Sequence, residues 1–140
     1  MEQRKINVKR THPNFFWLMA AIAIVVKIPF GISLVTDSSA YAAAAFTYTF
    51  IIVPPQVYGS LFLLSALLGL IGSFTKSFVF RMGAAIGLFC FSGWGLSYFF
   101  AYSEGLLGFY PAIGVYVFLA GVEFFALREP FTNPLTKGLE

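Results

Sequence analysis

The position of the basic residues relative to four apolar runs constrains this chain more than any other feature. Eight of the nine Lys and Arg residues fall on one side of the pattern: before the first run, between the second and third, or after the last. These eight are Arg4, Lys5, Lys9, Arg10, Lys76, Arg81, Arg128 and Lys137. The other two connections carry only acids, Asp37 and Glu104. Because Lys and Arg near membrane-spanning ends stay in the cytoplasm, the pattern predicts an integral membrane protein with both termini cytoplasmic.

Composition and span length predict an all-α fold. The chain is 59% hydrophobic and 11% charged, against roughly 25% charged residues in soluble domains. A helix needs about 20 apolar residues to cross a bilayer, so four spans use most of the 140 residues. We predict an antiparallel four-transmembrane-helix bundle over 14–128, because short turns join antiparallel neighbours. The predicted spans are 14–35, 55–74, 81–101 and 111–128, with cytoplasmic tails at 1–13 and 129–140.

Two features modify the first half of this pattern. Residues 40–50 are uncharged and, joined to the next run, would make a helix of about 50 Å, too long for one span. Pro54 and Pro55 favour a break, which predicts a short helix at the outer interface; a single long kinked helix is the alternative. In the first run, Pro29 predicts a kink. Lys27 interrupts that run, which favours an uncleaved first span over a signal peptide.

Small residues recur at helical spacing in three of the runs. Gly83-Ala84-Ala85-Ile86-Gly87 is a GxxxG motif, which lets two helices approach closely in lipid. The same chemistry extends to the second and fourth runs through Ser65 with Gly69 and Gly114 with Gly121. These six residues are candidate helix-packing positions. They serve either packing within one bundle or an interface between copies, with the third and first spans as candidate surfaces.

Apart from Arg81 and Arg128 at the span ends, Lys27 and Glu123 are the only residues with an acidic or basic side chain inside the predicted spans. Such residues cost about 2.5–3.5 kcal/mol at the bilayer centre on insertion scales and are functional candidates. Counted from the inner end of its own span, Lys27 lies about 20 Å deep and Glu123 about 7 Å deep, at 1.5 Å per residue. The gap of about 13 Å predicts no direct salt bridge. We expect Lys27 to extend outward toward the acidic turns, and Glu123 to meet Arg128 or Arg81. A polar path through the membrane is the alternative.

The sequence contains no recognisable reaction chemistry. His12 has no second ligand at metal spacing, so we assign no metal, and no catalytic residue or cofactor is assigned because no nucleophile–base pair or phosphate loop occurs. Cys90 stands alone in an apolar run and is expected to be a buried packing residue. No basic stripe with stacking aromatics lies outside the spans, which argues against nucleic-acid binding. We therefore expect a protein that is not an enzyme and whose first partner is the lipid bilayer.

Two families resemble the chain. The span pattern, the short cytoplasmic arms and the ending Arg128-Glu129-Pro130-Phe131-Thr132-Asn133-Pro134 resemble small four-span bacteriophage proteins called holin-like. That resemblance implies accumulation in the inner membrane, oligomerisation and sudden hole formation that releases an endolysin. The stretch from Gly59 to Gly87 is similar to small bacterial four-span proteins of the DoxX type, which implies a redox-linked partner role. Gln56 stands where that family's pattern would have an acidic residue.

Three hypotheses follow for a protein of the plasma membrane. The first is a self-associating, holin-like membrane protein. The second is an accessory subunit that packs against a larger membrane complex through its Phe and Gly surfaces. The third is a small transporter or channel subunit that uses Lys27 and Glu123.

Overall fold

A computed structural model of the chain describes residues 13–37, 53–75, 77–105 and 112–128. Within these ranges all regular secondary structure is helical and no strand occurs, so the all-α prediction is confirmed for this part of the chain. The tails, most of the two outer connections and the predicted interfacial helix at 40–50 lie outside the described residues.

The first helical rod has an irregular turn in its middle. Helix α1, Pro13–Ile22, continues into a π-helical turn, Ala23–Lys27, and then into α2, Ile28–Thr36; together these form the N-terminal rod. The Ile28 N–H bonds to the Ala23 carbonyl, five residues back, which is the π pattern. Pro29 follows directly, and a proline ring clashes with the carbonyl four residues before it. The wider turn provides the space that the ring needs.

The second long helical segment begins at a proline, and a glycine follows the end of the third. Helix α3, Pro55–Phe74, begins with Pro55 in its first turn, where a missing N–H costs nothing. Helix α4, Ser77–Ser103, begins four residues before the predicted third span, so the inner turn is shorter than expected. After α4, Gly105 has φ 71° and its N–H bonds to the Tyr102 carbonyl at 3.0 Å. Left-handed backbone of this kind favours glycine and closes a helix end.

The final helix and the two before it run antiparallel. Helix α5, Ala112–Arg128, is the last described element. Contacts between α3 and α4 run in opposite chain directions: Tyr58 bonds to Cys90, and Ser65, later in α3, bonds to Gly83, earlier in α4. Between α4 and α5, Tyr98 stacks on Tyr116 near the outer ends. The extensive contacts join neighbours in chain order, the rod with α3, α3 with α4, and α4 with α5.

A close glycine contact fastens the N-terminal rod to α3. A Cβ added to Gly59 would lie 2.8 Å from the Gly31 carbonyl oxygen, and one added to Gly31 would lie 2.6 Å from Leu63 Cγ. Neither position has room for a side chain, so the two backbones approach as only glycine allows. The sequence analysis missed this pair. The contact was predictable from the antiparallel order of the spans, because glycines near the outer ends of two consecutive spans lie at similar depth in the membrane.

Among the described residues, three helical stretches are long and apolar enough to cross a membrane by length and composition: Trp17–Thr36, Pro55–Phe74 and Phe78–Ser103. Their outer faces are apolar as well as their inner ones. Trp17 is 68% exposed and Phe78 is 71% exposed. On α5, which has 17 residues, Val117 is 63% exposed. A helix that is hydrophobic all round is typical of a large protein core or a membrane span.

Candidate functional site

A buried ion pair joins the first and last described elements. Lys27 Nζ contacts Glu123 Oε1, and the two side chains are 2% and 0% exposed. Lys27 closes the π-helical turn of the N-terminal rod, and Glu123 lies in α5. These two elements make no other extensive contact. The pair therefore joins two described elements that share no other extensive contact.

The prediction that these residues cannot form a salt bridge is wrong. It measured each depth from the end of that residue's own helix, as if all inner ends lay in one plane. Gly87, which lies against both side chains, is ten residues from the start of α4 (77 to 87), whereas Glu123 is five residues from the end of α5 (123 to 128). The inner end of α5 is therefore about 7 Å shallower, at 1.5 Å per residue. The helix ends are staggered, and the stagger removes much of the supposed gap.

The expected partners of the two charges were wrong as well. Lys27 does not extend toward the acidic turns but points into the bundle. Glu123 does not reach Arg128, whose guanidinium lies 5.7 Å from the Phe124 ring centroid at the helix end. The π-helical turn is one physical reason, because an extra residue in one turn rotates the positions at its end relative to an α-helix.

Gly87 provides the space in which the pair meets. A Cβ added there would lie 2.7 Å from both Cδ and Oε1 of Glu123 and 2.9 Å from Lys27 Nζ. One turn farther along α4, the centroid of the Phe91 ring lies 6.0 Å from Nζ. A ring face at about this distance attracts a cation. The second glycine of the GxxxG motif therefore accommodates two charged side chains from other helices.

The first half of the motif serves backbone packing. A Cβ added to Gly83 would lie 2.6 Å from the backbone N of Gly69 and 2.9 Å from the carbonyl oxygen of Ser65. The Ser65 hydroxyl donates a hydrogen bond to the Gly83 carbonyl at 2.7 Å. Gly83, Ser65 and Gly69 thus lie at one contact between α3 and α4. On α5, a Cβ added to Gly114 or Gly121 would meet nothing within 4 Å.

Aromatic rings fill the interior on the outer side of the ion pair. Trp94 is fully buried, and its ring packs edge-on against Phe30 at 5.4 Å between centroids. Tyr58 and Tyr116 lie 5.9 and 5.8 Å from it. We call these four residues the aromatic plug. They come from the rod, α3, α4 and α5, so each of these helical elements contributes one ring. The sequence analysis did not identify this cluster.

Tyr58 and Cys90 link the plug to the pair. The Tyr58 hydroxyl donates a hydrogen bond to the Cys90 carbonyl, and Gly93, one turn on, leaves room for that hydroxyl. Cys90 is fully buried, as predicted for this thiol. It lies three residues after Gly87 and so on the same side of α4, next to the position where both charged side chains meet. The only cysteine of the chain therefore lies beside the buried charges.

A small cavity adjoins the pair on the opposite side. It has a volume of about 10 Å³ and is lined by residues of the rod, α3 and α4. Lys27 lines it at one end, and Ser73 and Phe80 line it near the inner ends of α3 and α4. This volume is close to the minimum of about 10–15 Å³ that holds one water molecule. The ion pair therefore has an aromatic plug on one side and a water-sized space on the other.

A second, wider space lies on the outside of α4 and α5. This groove of about 550 Å³ is bordered by apolar residues that include Leu96, Phe99 and Val117.

Among the described residues, no three His, Cys, Asp or Glu side chains are close enough together to bind a metal ion. Compared with known proteins, the chain matches no family model, no curated protein and no solved structure.

Proposed function

We propose that this chain is a non-enzymatic plasma-membrane protein with four spans that acts by self-association in the bilayer. The apolar outer faces of the described helices support membrane insertion, since a soluble bundle would expose polar residues there. The fourth span is α5, whose 17 residues meet the lower limit of about 17–25 for a transmembrane helix. Pairing of Glu123 with Lys27 makes its acid tolerable in lipid.

The exposed charges support one orientation. Arg81 in the first turns of α4 and Arg128 at the end of α5 are exposed at one end of the bundle. Asp37 after the rod and Glu104 after α4 are exposed at the opposite end. By the positive-inside rule, the arginine end faces the cytoplasm. Both termini lie on that side if the four helices cross in alternation.

In the part of the chain that the structure describes, the interior of a single copy is filled. The aromatic plug contains a ring from each helix, and the ion pair occupies the level next to it. Any path for ions or solutes would therefore lie between copies. This favours the holin-like hypothesis, in which permeability appears on assembly, over a channel within one bundle.

The glycines of α5 carry the proposal of self-association. Gly114 and Gly121 are seven residues apart and so share one helix face, and neither has a neighbour within 4 Å of an added Cβ. Val117, between them, also borders the groove beside α4. Bare backbone on an outward face allows a helix of another copy to approach closely. The surface that we propose for assembly is therefore on α5, and the GxxxG motif of α4 is engaged within the bundle.

Leucine substitutions on α5 test the proposal. Gly114→Leu and Gly121→Leu should abolish oligomers of the purified protein, measured by light scattering after chromatography, and leave a helical monomer. Ala85→Leu is the matched control, because Ala85 is also small and exposed but lies on α4. Gly83→Leu is unsuitable as a probe, since its side chain would meet the α3 backbone.

Inducible expression in a bacterium tests the consequence in cells. A voltage-sensitive dye should report abrupt depolarisation after a delay with the native chain and Ala85→Leu, and none with the two α5 variants. Oligomers that survive both α5 substitutions would refute the proposed interface. A monomer that purifies only with another membrane protein would refute self-association and favour the accessory-subunit hypothesis.

A further inference from the structure

The buried ion pair has a feature that a purely structural contact does not need. Lys27 occupies Oε1 of Glu123, and Oε2 accepts no hydrogen bond from any residue that the structure describes. Both side chains are buried almost completely. A buried polar atom without a partner is costly, so such an atom in a native structure calls for an explanation. The carboxylate keeps one oxygen available for a proton.

The surroundings restrict how a proton could arrive. On the outer side, the Phe91 ring centroid lies 6.0 Å from Lys27 Nζ, and the fully buried Trp94 follows one turn farther along α4. On the inner side, the cavity beside Lys27 extends to Ser73 and Phe80 near the inner turn. It has room for about one water molecule. In the proposed orientation that turn faces the cytoplasm, so the cavity beside Lys27 lies on the cytoplasmic side of the pair.

The charges near Glu123 come from few groups. Among the described residues, Lys27 of the rod is its ionic partner, and the ionisable Cys90 thiol of α4 lies nearby. From α3, Tyr58 bonds to the Cys90 carbonyl and keeps its hydroxyl next to α4. With glutamate ionised, the Lys27–Glu123 pair is neutral overall. One added proton leaves a net positive charge, the Lys27 ammonium, in a low-dielectric interior.

We propose that the Lys27–Glu123 pair is a proton-binding site open to the cytoplasm, which controls whether the N-terminal rod stays attached to α5. A proton from cytoplasmic water binds Oε2 and converts the carboxylate to a carboxylic acid; no other bond changes. The ammonium then loses its counter-charge, and an unpaired buried charge is strongly destabilising. Because the rod and α5 share no other extensive contact, losing the pair opens the bundle between them. This inference uses the proposed membrane orientation but not the self-association.

Cys90 is a native reporter for this opening. It is the only cysteine, is fully buried, and lies next to the position where the pair meets. A small membrane-permeant maleimide can add to its thiol only when the bundle opens, so the labelling rate follows the opening equilibrium. Mass spectrometry of the protein in native membrane vesicles gives that rate.

Three variants separate a proton site from a structural ion pair. Glu123→Gln imitates the protonated acid and should label about tenfold faster than the native chain, the factor produced by about 1.4 kcal/mol. Lys27→Met should label more slowly than Glu123→Gln in mildly acidic buffer, because the remaining carboxylate takes up a proton more readily than an ammonium group releases one. The double variant Lys27→Met/Glu123→Gln contains no charge and should return to the native rate. Glu104→Gln, at the exposed outer turn, is the matched control.

Sided acidification tests the direction of access. Inside-out vesicles expose the cytoplasmic face and spheroplasts expose the outer face. The labelling rate of the native chain, divided by that of the double variant to cancel the effect of acid on the thiol, should rise only when the cytoplasmic face is acidified.

Each alternative outcome overturns part of the inference. Equal labelling of Glu123→Gln and the native chain would refute the control of rod attachment. Equal opening by Lys27→Met and Glu123→Gln would reduce the pair to a structural contact. A response to acid from either side would refute cytoplasmic access. None of these three labelling results depends on the oligomeric state. A failure of this inference is therefore distinguishable from a failure of the proposed self-association.

Discussion

Gly83 and Gly69 face the same contact between α3 and α4, yet the structure predicts opposite effects of an added methyl group. In Gly83→Ala the Cβ would lie 2.6 Å from the Gly69 backbone N, whereas ordinary contact begins at 3.4 Å. The obstructing atoms are backbone, so the helices must separate by about 0.8 Å, the difference between these distances. In Gly69→Ala the Cβ would meet nothing within 4 Å.

The expected magnitude for Gly83→Ala follows from three terms. Overpacking costs about 1–3 kcal/mol, and a rigid backbone neighbour favours the upper part of that range. Separation also weakens the Ser65–Gly83 hydrogen bond, worth about 0.6 kcal/mol between helices in membranes. Alanine returns about 1 kcal/mol through its helix propensity. The free energy of unfolding should therefore fall by about 1–3 kcal/mol. Gly69→Ala should lose nothing and gain up to about 1 kcal/mol.

Unfolding in mixed micelles measures both values. The fraction of folded protein is followed by tryptophan fluorescence as the mole fraction of a denaturing detergent increases, with Trp94 as the buried reporter. The comparison is between two Gly→Ala changes, so helix propensity cancels. If Gly83→Ala is as stable as Gly69→Ala, the close approach of α3 and α4 at this point is refuted.

Two further substitutions test the aromatic interior by the same unfolding measurement. Tyr58→Phe removes the hydrogen bond to the Cys90 carbonyl and should lower the free energy of unfolding by about 0.5–1.5 kcal/mol. Its control, Tyr102→Phe, changes an exposed position and should have no measurable effect. Equal losses of stability would contradict a specific role for the Tyr58 hydroxyl. Trp94→Ala should cost about 3–5 kcal/mol because it empties a fully buried site. Trp17→Ala is its control at 68% exposure, and an equal loss there would contradict the assignment of the Trp94 effect to burial.

The small-residue positions illustrate how far sequence reasoning reaches. Glycine and serine at helical spacing predicted close helix contacts, and the structure does put Gly83 against Ser65 and Gly69. The same spacing could not assign Gly87 to an ion pair or leave Gly114 without a neighbour. Periodicity specifies a face of a helix, but the partner of that face depends on how the other helices are arranged.

The ion pair shows the same limit for charged residues: the sequence identified the two residues but not their contact. The position of Lys27 and Glu123 in apolar runs marked them as exceptional. The sequence did not show that the two side chains meet, because the distance between them depends on the stagger of the helix ends and on the π-helical turn before Pro29. A depth counted along one helix contains neither quantity.

By itself, the sequence determined that the described chain is helical, which runs are apolar enough to cross a membrane, and which end of each run carries positive charge. These are local properties: hydrophobicity, helix length and the turn chemistry of proline and glycine act over a few residues. Only the tertiary structure decided that Lys27 pairs with Glu123, that Gly87 makes room for them, and that Trp94 centres an aromatic plug. Those contacts join residues from different helices, so they depend on the relative shift and rotation of packed rods, which no single segment encodes.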